Sequence, residues 1–337
     1  MCTGIRITAT GGEVFWGRTM DLGLSFFKNS LEQPFVLPTT ITTIPRGWKM
    51  SSQLVPWSAK YSVMGMGVRS STMLFDGVNE KGLAGDLQVL PEATAASLSE
   101  IQEQGLKPML GLEFLTYILT TYQSVQEIRD HYREYALVDQ PFKFAGQTFE
   151  FPLHYTFTDA GGASVVLEPV DHGAFKLYES VGVVTNGPEY DWHRTNLRNY
   201  IHVADKESVQ PLVLNKQVTV EPIEFGVGYG MVGLPGDYTS TSRFVRAFYV
   251  ANSLAPFTRA EGIGQLYGAF KSVTVPRGLE LAKQPGQYDY TQYWAGYDLT
   301  ERTLYVQNCD ELALHKLTLN PEITDLVYTD LNQADPI

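Results

Sequence analysis

The sequence predicts an α+β fold in which strand hairpins stack in layers with helices grouped between them. Strand-length apolar runs dominate the chain as far as Leu90, and helical periodicity begins only at Leu112. Alternation returns near the C-terminus, at 288–294 and 303–306. This is not the regular strand–helix alternation that builds a parallel sheet.

Taken in order, segments 4–8 and 13–19 flank Thr10-Gly11-Gly12, a hairpin turn whose glycines tolerate positive φ. Segments 61–68, 73–75 and 83–90 are further strand-length runs. Leu112, Leu115, Ile118 and Leu119 recur at helical spacing. Ser124, with Glu127 three residues on, reads as a capping box before a helix whose apolar face is Val125, Ile128 and Tyr132. Strands return at 154–158 and 164–168, joined through Asp159-Ala160-Gly161-Gly162, and again at 176–178 and 181–185. Segments 191–203, 243–252 and 259–271 read as helices, the last capped by Thr258 and Glu261. The Pro/Gly-rich stretch 226–236 reads as a loop rather than a linker. Residues 1–337 are therefore expected to form one domain.

Bulk properties exclude several classes. A hydrophobic share of 44% and a charged share of 18% are ordinary for a globular enzyme. The net charge of −12, with no run of Lys or Arg, argues against nucleic-acid binding. No segment approaches the roughly 18 uninterrupted apolar residues of a membrane helix. Residues 1–18 show no basic patch followed by an apolar run, so the cytoplasm is the expected compartment. Two cysteines, Cys2 and Cys309, make no disulfide framework. The six histidines include no helical pair at metal-ligand spacing, so neither metal nor other cofactor is expected. Gly226, Gly228, Gly230 and Gly233 do not join a strand to a helix as a dinucleotide loop requires. His154 and His193 read as structural, and Phe26, Phe27, Trp57 and Tyr61 are candidates to line an acyl pocket.

Cys2 is the residue with the most chemistry to offer. Methionine is removed readily before a small side chain, which would leave a thiol beside its own α-amine. That amine, with an ordinary pKa of about 8, can accept the thiol proton. Arg18 and Asp21 lie on the strand that folds back toward Cys2. If Thr10 pairs with Glu13, Asp21 falls opposite Cys2, within the residue or two by which a register slips. An arginine there stabilises a thiolate and an aspartate holds an ammonium group. The residues alone leave open a plain ion pair at a strand end.

Several segments together resemble the choloylglycine hydrolase family, which groups penicillin V acylases with conjugated bile salt hydrolases. They are Met1-Cys2-Thr3, Gly17-Arg18-Thr19-Met20-Asp21, Asp76-Gly77-Val78-Asn79-Glu80-Lys81-Gly82-Leu83 and Pro152-Leu153-His154-Tyr155-Thr156-Phe157-Thr158-Asp159. Thr185-Asn186-Gly187-Pro188, the helix from Trp192 to Tyr200, Gly233-Leu234-Pro235-Gly236-Asp237 and Ser242-Arg243-Phe244 continue the match in order. The resemblance implies an N-terminal-nucleophile fold, an αββα sandwich of two antiparallel sheets between helical layers. It implies a catalytic set of Cys2, Arg18, Asp21, Asn186 and Arg243. In it the Asn186 amide faces the oxyanion and a backbone N–H near Val89 is the second donor. Bile salt hydrolases carry Asn near Val89 and penicillin V acylases Tyr, so the valine leaves only the backbone role. The implied activity is cleavage of a linear amide with a bulky apolar acyl group. Penicillin V ranks first as substrate on the 152–159 and 191–200 segments, then conjugated bile salts, then acyl homoserine lactones. A family member that binds amphiphiles without turnover is the alternative of another class. The resemblance also implies a homotetramer.

Overall fold

The computed structural model describes residues 1–27, 36–144, 146–205, 211–221, 230–280, 288–331 and 335–336. Among these residues two large sheets face each other. The first runs in the order Val183–Val184, Cys2–Thr8, Val14–Leu22, Tyr290–Asp298, Thr303–Asn308, His315–Thr318 and Asp335–Pro336, all antiparallel. The second runs Val327–Thr329, Thr39–Ile44, Val63–Val68, Asp76–Asn79, Ala84–Val89, Leu153–Thr158, Ser164–Asp171, Ala174–Glu179, Tyr135–Leu137 and Lys107–Met109. It is antiparallel except at its last pair.

Helices Ser240–Asn252 and Gly262–Phe270 cover the outer face of the first sheet, where Phe244, Leu266 and Phe270 pack on Ile5, Ile7 and Phe15. Helix Gly111–Thr121 covers the outer face of the second, along Asp76–Asn79 and Ala84–Val89. The result is the expected αββα sandwich. No helix among the described residues is long and apolar enough to cross a membrane.

The N-terminal hairpin, β1 (Cys2–Thr8) and β2 (Val14–Leu22), forms as expected but with its register moved by one residue. Ala9, not Thr10, pairs with Glu13, and Gly12 takes a φ of 94°, so the loop has three residues. Cys2 therefore stands opposite Met20, and Asp21 does not face it. Because strand side chains alternate, this one-residue shift sends Asp21 to the opposite face from Cys2. Cys2, Arg18 and Met20 point between the sheets, while Thr3, Thr19 and Asp21 point toward the outer helices.

Other elements differ from the sequence reading mainly at their ends. Residues 73–75 lead into strand Asp76–Asn79 rather than forming one, and Leu74 keeps an isolated bridge to Gly67. Segment 191–203 divides into helix Tyr190–Asn196 and the 3₁₀ turn Leu197–Tyr200. Ser124 caps its helix by accepting from the Glu127 N–H, but the Glu127 carboxylate turns to the Gln123 N–H, so the box is half made. The Thr258–Glu261 box is complete and starts a 3₁₀ turn ahead of Gly262–Phe270. Gly226 and Gly228 lie outside the described residues, and 230–236 forms turns and loop.

Candidate active site

Arg18 is fully buried between the sheets, where an uncompensated cation would be very costly. Its environment supplies the compensation. Nη2 donates to Cys2 Sγ at 2.8 Å, and Nη1 donates to the carbonyls of Phe75 at 3.1 Å and Leu87 at 3.2 Å. Nε donates to the Thr19 carbonyl at 3.2 Å. Asp86 lies 3.6 Å from Nε and Asp76 3.9 Å from Nη1, both fully buried. Burial opposes the charge on Arg18, but Cys2, Tyr293 and the two aspartates outweigh it, and the guanidinium's pKa is raised. Asp76 accepts from Tyr293 Oη at 2.6 Å and from Tyr297 Oη. Burial pushes its carboxyl up to about 6 even though Arg18 and both tyrosines pull the other way.

The other face of β1 carries the second half of the site. Asn186 lies two residues beyond the short strand Val183–Val184 that pairs with β1 at Gly4 and Ile5, and this brings it to the main chain of Cys2. Its Oδ1 accepts from the Cys2 N–H at 2.7 Å and from Arg243 Nη2 at 3.0 Å. With Oδ1 so engaged, Nδ2 is turned to the Val89 carbonyl at 2.8 Å. Arg243 comes from helix Ser240–Asn252, whose first turn is tied to the Asn186 segment by Thr185 Oγ1 donating to the Ser240 carbonyl at 3.1 Å. It also donates to the Cys2 carbonyl and Thr3 Oγ1, each at 2.6 Å, and to the Tyr238 carbonyl at 2.9 Å. Burial lowers its pKa from the usual arginine value, and it remains a cation.

Asp21 is also fully buried, but its carboxylate accepts from Thr291 Oγ1 at 2.6 Å and Thr19 Oγ1 at 3.0 Å. Arg243 Nη1 is 4.0 Å away. The contact of Asp21 with the chain terminus runs instead through its main-chain carbonyl, which accepts from the Met1 ammonium. With Met1 attached the Cys2 nitrogen is a peptide N–H, so the ammonium held here is that of Met1.

Cys2 opens on an apolar cleft whose walls include Met1, Leu22, Phe26, Leu87, Val89 and Leu153. Of the expected pocket aromatics Phe26 lines this cleft, while Trp57 lines a different groove beside Trp48 and Tyr328. Phe27 and Tyr61 are not among the cleft's lining residues. Val89 contributes an apolar side chain, and its carbonyl reaches Asn186. In an extended strand the N–H and C=O of one residue point to the same edge, so the Val89 N–H is on that side too.

The structure thus brings Cys2, Arg18, Asn186, Arg243 and Val89 together, with Asp21 one layer behind. Asp76, Asp86, Tyr293 and Tyr297 were not singled out from sequence, although Asp76 opens one of the quoted segments. Their sequence signal is faint, because a buried carboxylate is recognisable only from what faces it. His193, read as structural, supports the site directly: Nε2 donates to the Asn186 carbonyl at 2.9 Å and the ring stacks on Phe244. His154 is buried against Glu168 at 3.1 Å.

This architecture and its match to known proteins define the class: an enzyme that hydrolyses C–N bonds in linear amides. The family model described as linear amide C–N hydrolases, choloylglycine hydrolase family, matches residues 2–333. The chain belongs to the choloylglycine hydrolase family. It is 31% identical over 324 residues to the bile salt hydrolase/transferase of Bifidobacterium longum subsp. longum, covering 95% of each chain. It is 26% identical over 249 residues to the penicillin V acylase of Pectobacterium atrosepticum, covering 68% of this chain and 58% of that protein. Its fold superposes on the crystal structure of a mutant conjugated bile acid hydrolase from Clostridium perfringens with a TM-score of 0.84 at 25% identity, covering 99% of this chain and 98% of the other.

His193 makes the site sensitive to acid. Burial lowers its pKa to about 4, from an ordinary value of 6.5. The folded state holds the ring neutral while the unfolded chain protonates it, so the unfolded state binds more protons between those values. Stability present above pH 6.5 should therefore be lost as the pH falls toward 4. His193→Gln keeps a donor for the Asn186 carbonyl without the titration. Denaturant unfolding should show a smaller loss of stability across this window in the variant than in the parent. Equal losses would remove His193 as the cause.

Proposed function

We propose that Cys2, freed of Met1, is the nucleophile that cleaves the amide, with Arg18, Asp21, Asn186 and Arg243 as its supporting set. The strongest support is one juxtaposition: Cys2 Sγ lies 2.8 Å from Arg18 Nη2 while Cys2 N lies 2.7 Å from Asn186 Oδ1. That nitrogen is a peptide N–H while Met1 is attached and becomes the α-amine once Met1 is gone, so sulfur and amine would be held by separate partners. Sγ attacks the carbonyl carbon as its proton passes to the α-amine. The oxyanion takes the second hydrogen of Asn186 Nδ2 and the Val89 N–H, donors of a kind worth about 2.7–4 kcal/mol each. The α-ammonium then protonates the leaving nitrogen as the C–N bond breaks, leaving a thioester. Water, deprotonated by the same amine, hydrolyses it and restores the thiol. Arg243 and, behind it, Asp21 hold Asn186 and the Cys2 main chain in place. Because these residues come from widely separated segments, 1–337 is read as one domain. Removal of Met1 is a cytoplasmic reaction, which fits a cytoplasmic enzyme.

Conjugated bile salts come first as substrates, ahead of penicillin V, because the bile salt relative matches nearly the whole chain and the penicillin V acylase relative only part of it. The cleft's apolar walls suit a steroid or a phenoxyacetyl group equally. Side-by-side assays of glyco- and tauro-conjugated bile acids and phenoxymethylpenicillin should show the highest kcat/KM on a bile salt, in a protein whose intact mass lacks Met1. Asn186→Ala should lower kcat by roughly 10²–10³, and Cys2→Ala should bind the same compounds without product. Product release by Cys2→Ala at the parent's rate would end the nucleophile assignment. Binding with no turnover by the parent would identify an amphiphile-binding member instead.

Self-association into the homotetramer expected of the family is supported by an exposed hairpin, Leu212–Leu214 with Val218–Val220. Leu212, Val213, Leu214, Val218 and Val220 are all about half exposed, at 48–58%. Such a contiguous apolar surface is unusual on a monomer. Leu214 and Val218 pair across it, so the double change to Glu should reduce the light-scattering mass to that of a monomer. An unchanged mass would place the contact elsewhere.

A further inference from the structure

Asp76 and Asp86 stand directly opposite each other on neighbouring strands of the second sheet. Like charges in that position repel, and here both residues are fully buried. Each is nonetheless arranged as an acceptor. Asp76 takes the hydroxyls of Tyr293 and Tyr297, while Asp86 takes Thr156 Oγ1 at 2.6 Å and Gln88 Nε2 at 2.8 Å. One cation, Arg18, faces both from the other sheet. Two carboxylates on one guanidinium give this cluster a formal charge of −1 before the sulfur is counted. Ionising Cys2 adds a second negative charge.

We infer that Asp76 and Asp86 are positioning residues with a restraining effect: they hold Arg18 against Cys2 Sγ and, by sharing its charge, restrain how much thiolate the resting enzyme carries. The inference rests on Cys2 being the nucleophile. The groups facing the sulfur fit this division. Arg18 approaches it from the inner side, backed by Asp76, Asp86, Tyr293 and Tyr297. On the outer side of β1 lies Arg243, whose Nη1 donates to the Cys2 carbonyl and to Thr3, with Asp21 4.0 Å from it. Glu280, which faces Arg243, Asp21 and the terminal amine, and that amine itself complete the set. The inner cluster alone presents more negative than positive charge. Such an arrangement couples the build-up of charge on the sulfur to the moment when the substrate carbonyl and the amine take up charge and proton. It also protects a cysteine beside an open apolar cleft from electrophiles and oxidants, which react with thiolate.

The test is the rate at which iodoacetamide, an uncharged reagent, alkylates Cys2, read by mass spectrometry of the N-terminal peptide so that Cys309 does not interfere. Asp86→Asn and Asp76→Asn keep size while removing one charge and exchanging one acceptor for a donor. Each should alkylate about three- to tenfold faster than the parent at pH 7, and Asp86→Glu should return to the parent's rate. At pH 10, where ordinary thiols are ionised anyway, the rates should converge. A rate advantage that persists unchanged to pH 10 would mean loosened packing and would overturn the inference, as would parent-like or slower alkylation at pH 7. If neither variant folds, Arg18→Met provides the test. Without the shared cation the facing carboxylates should make its melting temperature rise, relative to the parent, between pH 8 and pH 5; a constant difference would overturn the inference. Failure of the nucleophile assignment looks different: activity would then survive complete alkylation of Cys2.

Discussion

A single buried cation organises this protein. Arg18 sits between two sheets with no access to water, and its charge is met by the sulfurs of Cys2 and Met20, three carbonyls and two carboxylates drawn from both sheets. Removing one partner from such a cluster costs about 3–5 kcal/mol, because the remaining charge is left buried and unpaired. The two sheets must therefore close on each other in one register for Arg18 to be satisfied. The same closure delivers its Nη2 to Cys2. Stability and chemistry thus depend on one set of contacts.

The hairpin that carries Arg18 divides the site into two halves. On its inner face the sulfur meets a guanidinium and an apolar cleft, the place the proposed mechanism gives to the nucleophile and the acyl group. On its outer face the main chain of Cys2 meets Asn186 and Arg243. Both arginines are buried, one on each side of β1. The halves meet at Cys2 itself and where Asn186 reaches across to the Val89 carbonyl at the wall of the cleft.

Much of this was legible in the sequence, and the failures have identifiable causes. The hairpin at Gly11-Gly12 and the proximity of Arg18 to Cys2 follow from local turn chemistry. The register was read one residue out, because the turn closes at Ala9 and Glu13 with Gly12 at positive φ, a choice between turn types that strand pattern alone does not decide. That one residue moved Asp21 to the opposite face of the strand from Cys2. Asn186 and Arg243 were named only through family resemblance, since their nearness to Cys2 depends on strand Val183–Val184 pairing with β1 across a long separation in sequence. Asp86 and the tyrosines at 293 and 297 left no usable signal. In sequence they are ordinary strand residues, and they acquire meaning only when the facing sheet brings Arg18 between them. The lapses at element ends, such as 73–75 and 197–203, reflect tertiary contacts overriding periodicity.

If Cys2 is the nucleophile, the acyl group is carried by Cys2 of a chain without Met1. Acid quenching during turnover of a slowly hydrolysed amide, followed by peptide mass spectrometry, measures this directly. The account predicts an acyl group on the peptide that begins with Cys2, removable by hydroxylamine as a thioester is. An acyl group recovered on any other residue, or full activity in protein that still begins with Met1, would contradict it.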